Sequence, residues 1–185
     1  MRSVNKPLLY FSFFLYLTLL VWIITFKCNL LTPISESMLI LPKKTFLERI
    51  SMDLHYNPSL LGMLRDRDFW LNVLAFLPLG IYLPLITEKA RMLSGMLIAS
   101  LLSFTFELIQ AITCIGGFTL VDIATNTIGF LIGYVIFKLT IDRLPGSVIN
   151  KINLAVAIVV TPICLYAVYN TVINWEIYTL EYYQK

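Results

Sequence analysis

Charged residues gather in a few short segments of this chain, and long apolar runs separate them. Leu8–Phe26 is 19 residues without a charge, Phe69–Ile86 is 18 and Ile152–Ile173 is 22. Each approaches the roughly 20 residues with which a helix crosses the hydrocarbon core of a bilayer. Two further runs, 92–113 and 118–138, are as long but carry one carboxylate each. The pattern predicts five spanning helices at about 8–26, 69–87, 92–113, 118–138 and 152–174. Between the first two lies a polar loop, 27–68, in which SMLILP and TFLERI could lie along the membrane surface. Pro78, Gly80 and Pro84 fall inside the second span. Each proline removes a backbone donor, so a kink is expected there. A short polar tail follows the fifth span and ends at Lys185.

Composition strengthens this reading. The chain of 185 residues is 58% hydrophobic and 14% charged, with a mean hydropathy of +0.81. Soluble domains are about one quarter charged. The fold class that follows is an all-α integral membrane protein, a bundle of about five transmembrane helices in a single membrane domain over 1–185. The basic residues sit at the ends of apolar runs and form no groove for nucleic acid. Cys28, Cys114 and Cys164 are too dispersed for a redox or zinc motif, and His55 stands alone in the loop, so neither a metal nor a cofactor is expected. The first run is long for a signal peptide. Its exit, TFKCNLL, lacks a small-x-small cleavage pattern, so it reads as an uncleaved span.

Basic residues also set orientation. With the N-terminus inside, the short inner segments hold Arg2, Lys6, Lys89, Arg91, Lys138, Arg143 and Lys151, while the outer turn CIGGFT holds none. Short-loop basic residues favour the cytoplasmic side. The expected topology is therefore a cytoplasmic N-terminus and an extracellular C-terminus.

In this frame several polar residues collect at one depth. Ser103, Glu107, Gln110 and Cys114 repeat at i, i+4, i+7, i+11, and Asp122, Asn126, Gly129 and Gly133 keep the same rhythm. Each set lies on one helix face. Asp68 and Asn72 open the second span at the same level. Glu107, Gln110, Asp122, Asn126, Asn72 and Asp68 are thus candidates for a ligand-binding cluster near the outer surface. Gly129 and Gly133 form a small-xxx-small pair that lets another helix approach closely, and Pro78 and Gly80 are further packing candidates. A plainer account competes. Interhelical hydrogen bonds in membranes are worth only about 0.6 kcal/mol on average, and Asp122 could be a solvated anion at a helix N-terminus. Glu107 lies inside an apolar helix, with Arg65, Arg67 and Lys27 as possible partners from elsewhere.

The same residues carry a resemblance. FELIQAITCIGGFTLVDIATNTIGFLIGY resembles the core motif of the VanZ-like membrane protein family, Glu-x-x-Gln, a turn, then Asp-x-x-x-Asn-x-x-Gly-x-x-x-Gly, here Glu107, Gln110, Asp122, Asn126, Gly129 and Gly133. Upstream, NVLAFLPLG is similar to a second family motif, here Asn72, Phe76, Pro78 and Gly80. The turn GGFTLV lacks the Arg that many family members carry before the Asp. The resemblance implies a protein of the bacterial cell membrane, linked to resistance to the glycopeptide antibiotic teicoplanin with little effect on vancomycin. It leaves mechanism open. One option is a polar site that binds or modifies a cell-envelope amphiphile, the partner being a membrane lipid, a lipid-linked cell-wall component or teicoplanin. A second is an enzyme acting on a lipid-linked glycan, with Glu107 as general acid and Asp122 as base, though no nucleophile is visible. A small transporter and a non-catalytic envelope assembly factor are the remaining alternatives.

Overall fold

The computed structural model describes residues 3–26, 59–87, 91–113 and 118–183. The greater part of the 27–68 loop, with Lys27, Cys28 and His55, and the turn residue Cys114 lie outside them. Among the described residues six helices follow in order: α1 (Lys6–Phe26), α2 (Leu60–Arg65), α3 (Arg67–Ile86), α4 (Met92–Thr113), α5 (Leu120–Leu139) and α6 (Gly146–Tyr183), with a 3-10 turn at Ile141–Arg143. Five of these are long and apolar enough to cross a membrane. The chain is an all-α, multi-pass membrane protein. Its outward faces agree with that: Leu93, Leu97 and Leu101 of α4 repeat at one-turn spacing and are exposed, as suits side chains that meet lipid.

Two features differ from the expected spans. α2 lies inside the region read as loop. Ser59 starts it, its hydroxyl accepting the Gly62 N–H at 3.2 Å, which satisfies one of the orphan donors of a helix start. α6 begins at Gly146 and runs to Tyr183, where a span of about 152–174 and a polar tail were expected. Hydropathy marks only the apolar stretch. No glycine follows Gly146 and the one proline is Pro162, so no strong breaker stops the helix where polarity returns.

α3 and α5 form the tightest pair, running side by side in the same direction. A methyl group on Gly129 would strike the Val73 carbonyl, one on Gly133 the Leu77 carbonyl, and one on Gly80 the Phe130 carbonyl and the Tyr134 amide. The two backbones therefore touch along a glycine seam. α3 continues as a helix through Pro78 and Pro84. The missing N–H groups release the carbonyls one turn earlier. Close to the first release, Tyr16 of α1 donates its hydroxyl to the Ala75 carbonyl at 2.9 Å, and its ring stacks on Tyr82, centroids 5.8 Å apart.

α4 packs antiparallel to α5, with Ser100 and Thr127 hydroxyls 2.8 Å apart. α6 lies along α1 in parallel. The Asn5 N–H donates to Asn150 at 2.8 Å, Ser12 donates to Asn153 at 3.2 Å, and Leu15, Ala157 and Cys164 fill the space further along. Phe76, Phe130, Leu20 and Phe106 meet at the centre of α1, α3, α4 and α5.

Candidate functional site

The α4–α5 connection marks one end of the bundle, here called the turn end. The polar stripe of α4 points inward at this end. Ser103, Glu107 and Gln110 are each at most 1% exposed, and Thr125 and Asn126 of α5 match them. Asp122 and Asn72 are buried at 9% and 7%. From the helix ends, Glu107 and Asn126 lie roughly 9 Å into their spans at 1.5 Å per residue.

Glu107 and Gln110 of α4 each hold the end of a different helix. The Thr119 N–H donates to the Glu107 carboxylate at 2.8 Å. Thr119 is the N-cap of α5, and its hydroxyl in turn accepts the Asp122 N–H at 3.2 Å. Glu107 therefore places a carboxyl oxygen at the start of α5, where unpaired N–H groups and the helix dipole favour an acceptor. Gln110 reaches the other way. Its amide nitrogen donates to the Ile24 carbonyl at 2.6 Å. That carbonyl belongs to the last turn of α1, where helical partners run out. Glu-x-x-Gln on α4 thus caps the N-terminus of one neighbour and the C-terminus of another.

α3 and α5 complete the layer. The Asn126 amide donates to Ser103 at 2.8 Å, and the Thr125 hydroxyl donates to the Asp122 carbonyl at 3.0 Å. The Asn72 amide lies 3.4 Å from the Thr125 hydroxyl, a long contact. Two acceptors are left over. Among the described residues, Gln110 Oε1 and Asn126 Oδ1 are buried without a hydrogen-bond partner. A third such atom, Asn153 Nδ2, is set apart between α1 and α6, roughly 18 Å along α1 from Ile24.

The six candidate residues are not all together. Glu107, Gln110, Asp122, Asn126 and Asn72 form the buried layer. Asp68 stands outside it, more than half exposed, 4.0 Å from Arg67, with its N–H held by Asp66 at 3.0 Å. It occupies the first turn of α3, and Asn72 one turn later is the first inward residue. Arg65 and Arg67 are exposed, and Lys27 is outside the described residues. Gly129, Gly133 and Gly80 belong to the seam beneath, with Pro78 half-buried on the same helix. The groups that the motif spacing does not announce are backbone atoms, the Thr119 amide and the Ile24 carbonyl, together with the Thr125 side chain. Thr125 alone left a trace in the sequence, as a polar neighbour of Asn126. Among the described residues no three of His, Cys, Asp and Glu gather as metal ligands.

A family model described as VanZ/LLP1 matches residues 13–141, well over half of the chain. The chain belongs to the VanZ/LLP1 family. It is also similar to protein VanZ of Enterococcus faecium, 30% identical over 100 residues that cover 54% of this chain and 61% of that protein. The chain thus spans less than two thirds of that relative's length. No solved structure matches. The VanZ/LLP1 region takes in the whole buried polar layer and the glycine seam, and it ends before α6. What the family match covers is therefore the part of the bundle that builds the turn end.

Proposed function

We propose that this VanZ-family chain acts at the outer leaflet of the bacterial membrane. There its buried polar layer engages the head group of an envelope amphiphile and lowers the access of teicoplanin to its lipid-linked target. The observation that carries this reading is the pair of unpartnered acceptors, Gln110 Oε1 and Asn126 Oδ1, in a layer otherwise tied up by hydrogen bonds. Buried polar groups without partners are rare and call for an explanation. Polar residues inside spans mark ligand paths more often than polar residues elsewhere do. The bias of short-loop basic residues, with Lys6, Arg91, Lys138, Arg143 and Lys151 at the opposite end and none in the sequence CIGGFT, supports a turn end that faces outward and an N-terminus in the cytoplasm. The resemblance to VanZ supplies teicoplanin as the drug to test.

A second reading has its own observation. Glu107 and Gln110 both cap helix ends, so the layer could serve only to hold the fold of an envelope assembly factor.

The test uses a susceptible Gram-positive host that expresses the chain at a verified membrane level, against an empty vector. The inhibitory concentration of teicoplanin should rise several-fold and that of vancomycin should stay unchanged. Equal values for both drugs with and without the protein would remove the resistance reading and leave the assembly role.

A further inference from the structure

The chemistry of the layer narrows the ligand, on the reading that the layer is a binding site. The orientation of the Gln110 amide is fixed, because the Ile24 carbonyl can only accept and so the nitrogen must face it. Oε1 is therefore the free end. The Asn126 nitrogen is held by Ser103, which leaves Oδ1. The neighbouring backbone donors and the Thr125 hydroxyl are already engaged. The Thr119 N–H serves Glu107, the Asp122 N–H serves the Thr119 hydroxyl, and the Thr125 hydroxyl serves the Asp122 carbonyl. The atoms of the layer left without any partner are the two amide oxygens, and two carboxyl groups lie within the same layer.

We propose that the Gln110 and Asn126 oxygens receive the hydroxyl groups of an uncharged, lipid-borne sugar, and that the layer rejects a phosphate head group. A hydroxyl supplies the missing donor to an oxygen in a water-poor site, where the gain from pairing is greatest. A phosphate offers oxygens to oxygens and sets its charge beside Glu107 and Asp122, an arrangement that selects against it. Asn72, Asn126 and Gln110 lie within two turns of the ends of α3, α5 and α4 at this level. That is within reach of a head group whose acyl chains stay among the lipids. Both oxygens are shielded from solvent, so a sugar reaches them only when the ends of α1, α4 and α5 part. Glu107 and Gln110 hold those ends.

The test is thermal unfolding of the purified full chain in detergent with two probes of identical acyl chains, glucosyl-diacylglycerol and phosphatidic acid. At saturation the glucosyl lipid should raise Tm by about 3 °C or more, as a ligand bound only to the folded state does, and phosphatidic acid should not. Asn126→Asp keeps an acceptor, because the Ser103 hydroxyl can donate to it, and should keep the shift. Asn126→Leu removes the acceptor and should lose it. The unliganded Tm of each variant reports whether it folds, and Gln110→Lys, whose ammonium can still cap Ile24, provides a second acceptor deletion. An equal shift from both lipids, a shift that survives Asn126→Leu and Gln110→Lys, or no shift with the glucosyl lipid would overturn the proposal. The drug test above is separate. Protection against teicoplanin without a glucosyl shift removes the sugar assignment alone, whereas a glucosyl shift without protection removes the resistance reading alone.

Discussion

The two halves of the α3–α5 interface are built on opposite principles. Towards the middle of the bundle, Gly80, Gly129 and Gly133 bring backbone against backbone, with no space for even a methyl group. At the turn end the same helices meet through the long Asn72–Thr125 contact, while Asn126 turns to Ser103 of α4 and leaves one acceptor unpaired. Close packing of small residues maximises van der Waals contact and fixes the two helices. A hydrogen-bonded layer is directional and can exchange partners. The difference teaches where change is tolerated. The seam is the frame, and the turn end is the part whose partners can be replaced by those of a ligand.

The sharpest way to break this comparison is to place a side chain in the seam. Gly133→Val drives two methyl groups at the Leu77 carbonyl and should cost about 3 kcal/mol or more, as overpacking does. The expected result is loss of monodisperse protein on size exclusion. Next is Glu107→Ala, which leaves the Thr119 N–H buried and unpaired. A loss of about 1–3 kcal/mol is expected, read as a lower Tm in detergent, while Glu107→Gln retains an oxygen for that N–H and should lose less. Gln110→Leu strips the Ile24 carbonyl of its donor and should cost about 1 kcal/mol, with proteolysis near the end of α1 as a second readout. Tyr16→Phe removes one hydrogen bond to the Ala75 carbonyl and should cost about 0.6 kcal/mol, the membrane average. Asp68→Asn should change stability by less than about 0.5 kcal/mol, as exposed positions do, and should leave teicoplanin protection intact. A large effect at Asp68 would extend the site onto the surface and blur the contrast.

Much of this was legible in the sequence, for physical reasons that differ by element. Met92–Thr113 matches the apolar run at 92–113 because a bilayer imposes its thickness on composition. The outer part of α6 was not legible, since its later residues are polar and yet compatible with a helix. α2 was hidden because six residues are too few for a periodic signal, and only the Ser59 cap hints at it. In the site, the i, i+4, i+7 stripes of Glu107 and Asn126 show which faces turn inward. They do not show what those side chains hold, because the partners of Glu107 and Gln110 are main-chain groups that exist at every residue and leave no mark on residue type. The stripe also placed Asp68 on the line of Asn72. Periodicity gives the face of a helix but not how deeply each residue on it is buried, and Asp68 in the first turn of α3 is exposed.

The most direct test of the central claim, that the turn end does more than hold the fold, reads two quantities on one variant. Asn126→Leu, which removes one of the two free acceptors, would be expressed at the wild-type membrane level. Its Tm in detergent and the teicoplanin inhibitory concentration of the cells that carry it would be measured side by side. The account predicts a Tm that stays within about 3 °C of wild type, since the substitution removes one hydrogen bond to Ser103 together with one buried unpaired acceptor, and loss of protection to the empty-vector value. Full protection at an unchanged Tm, or protection that declines only in step with Tm, would contradict it and reduce the polar layer to helix capping.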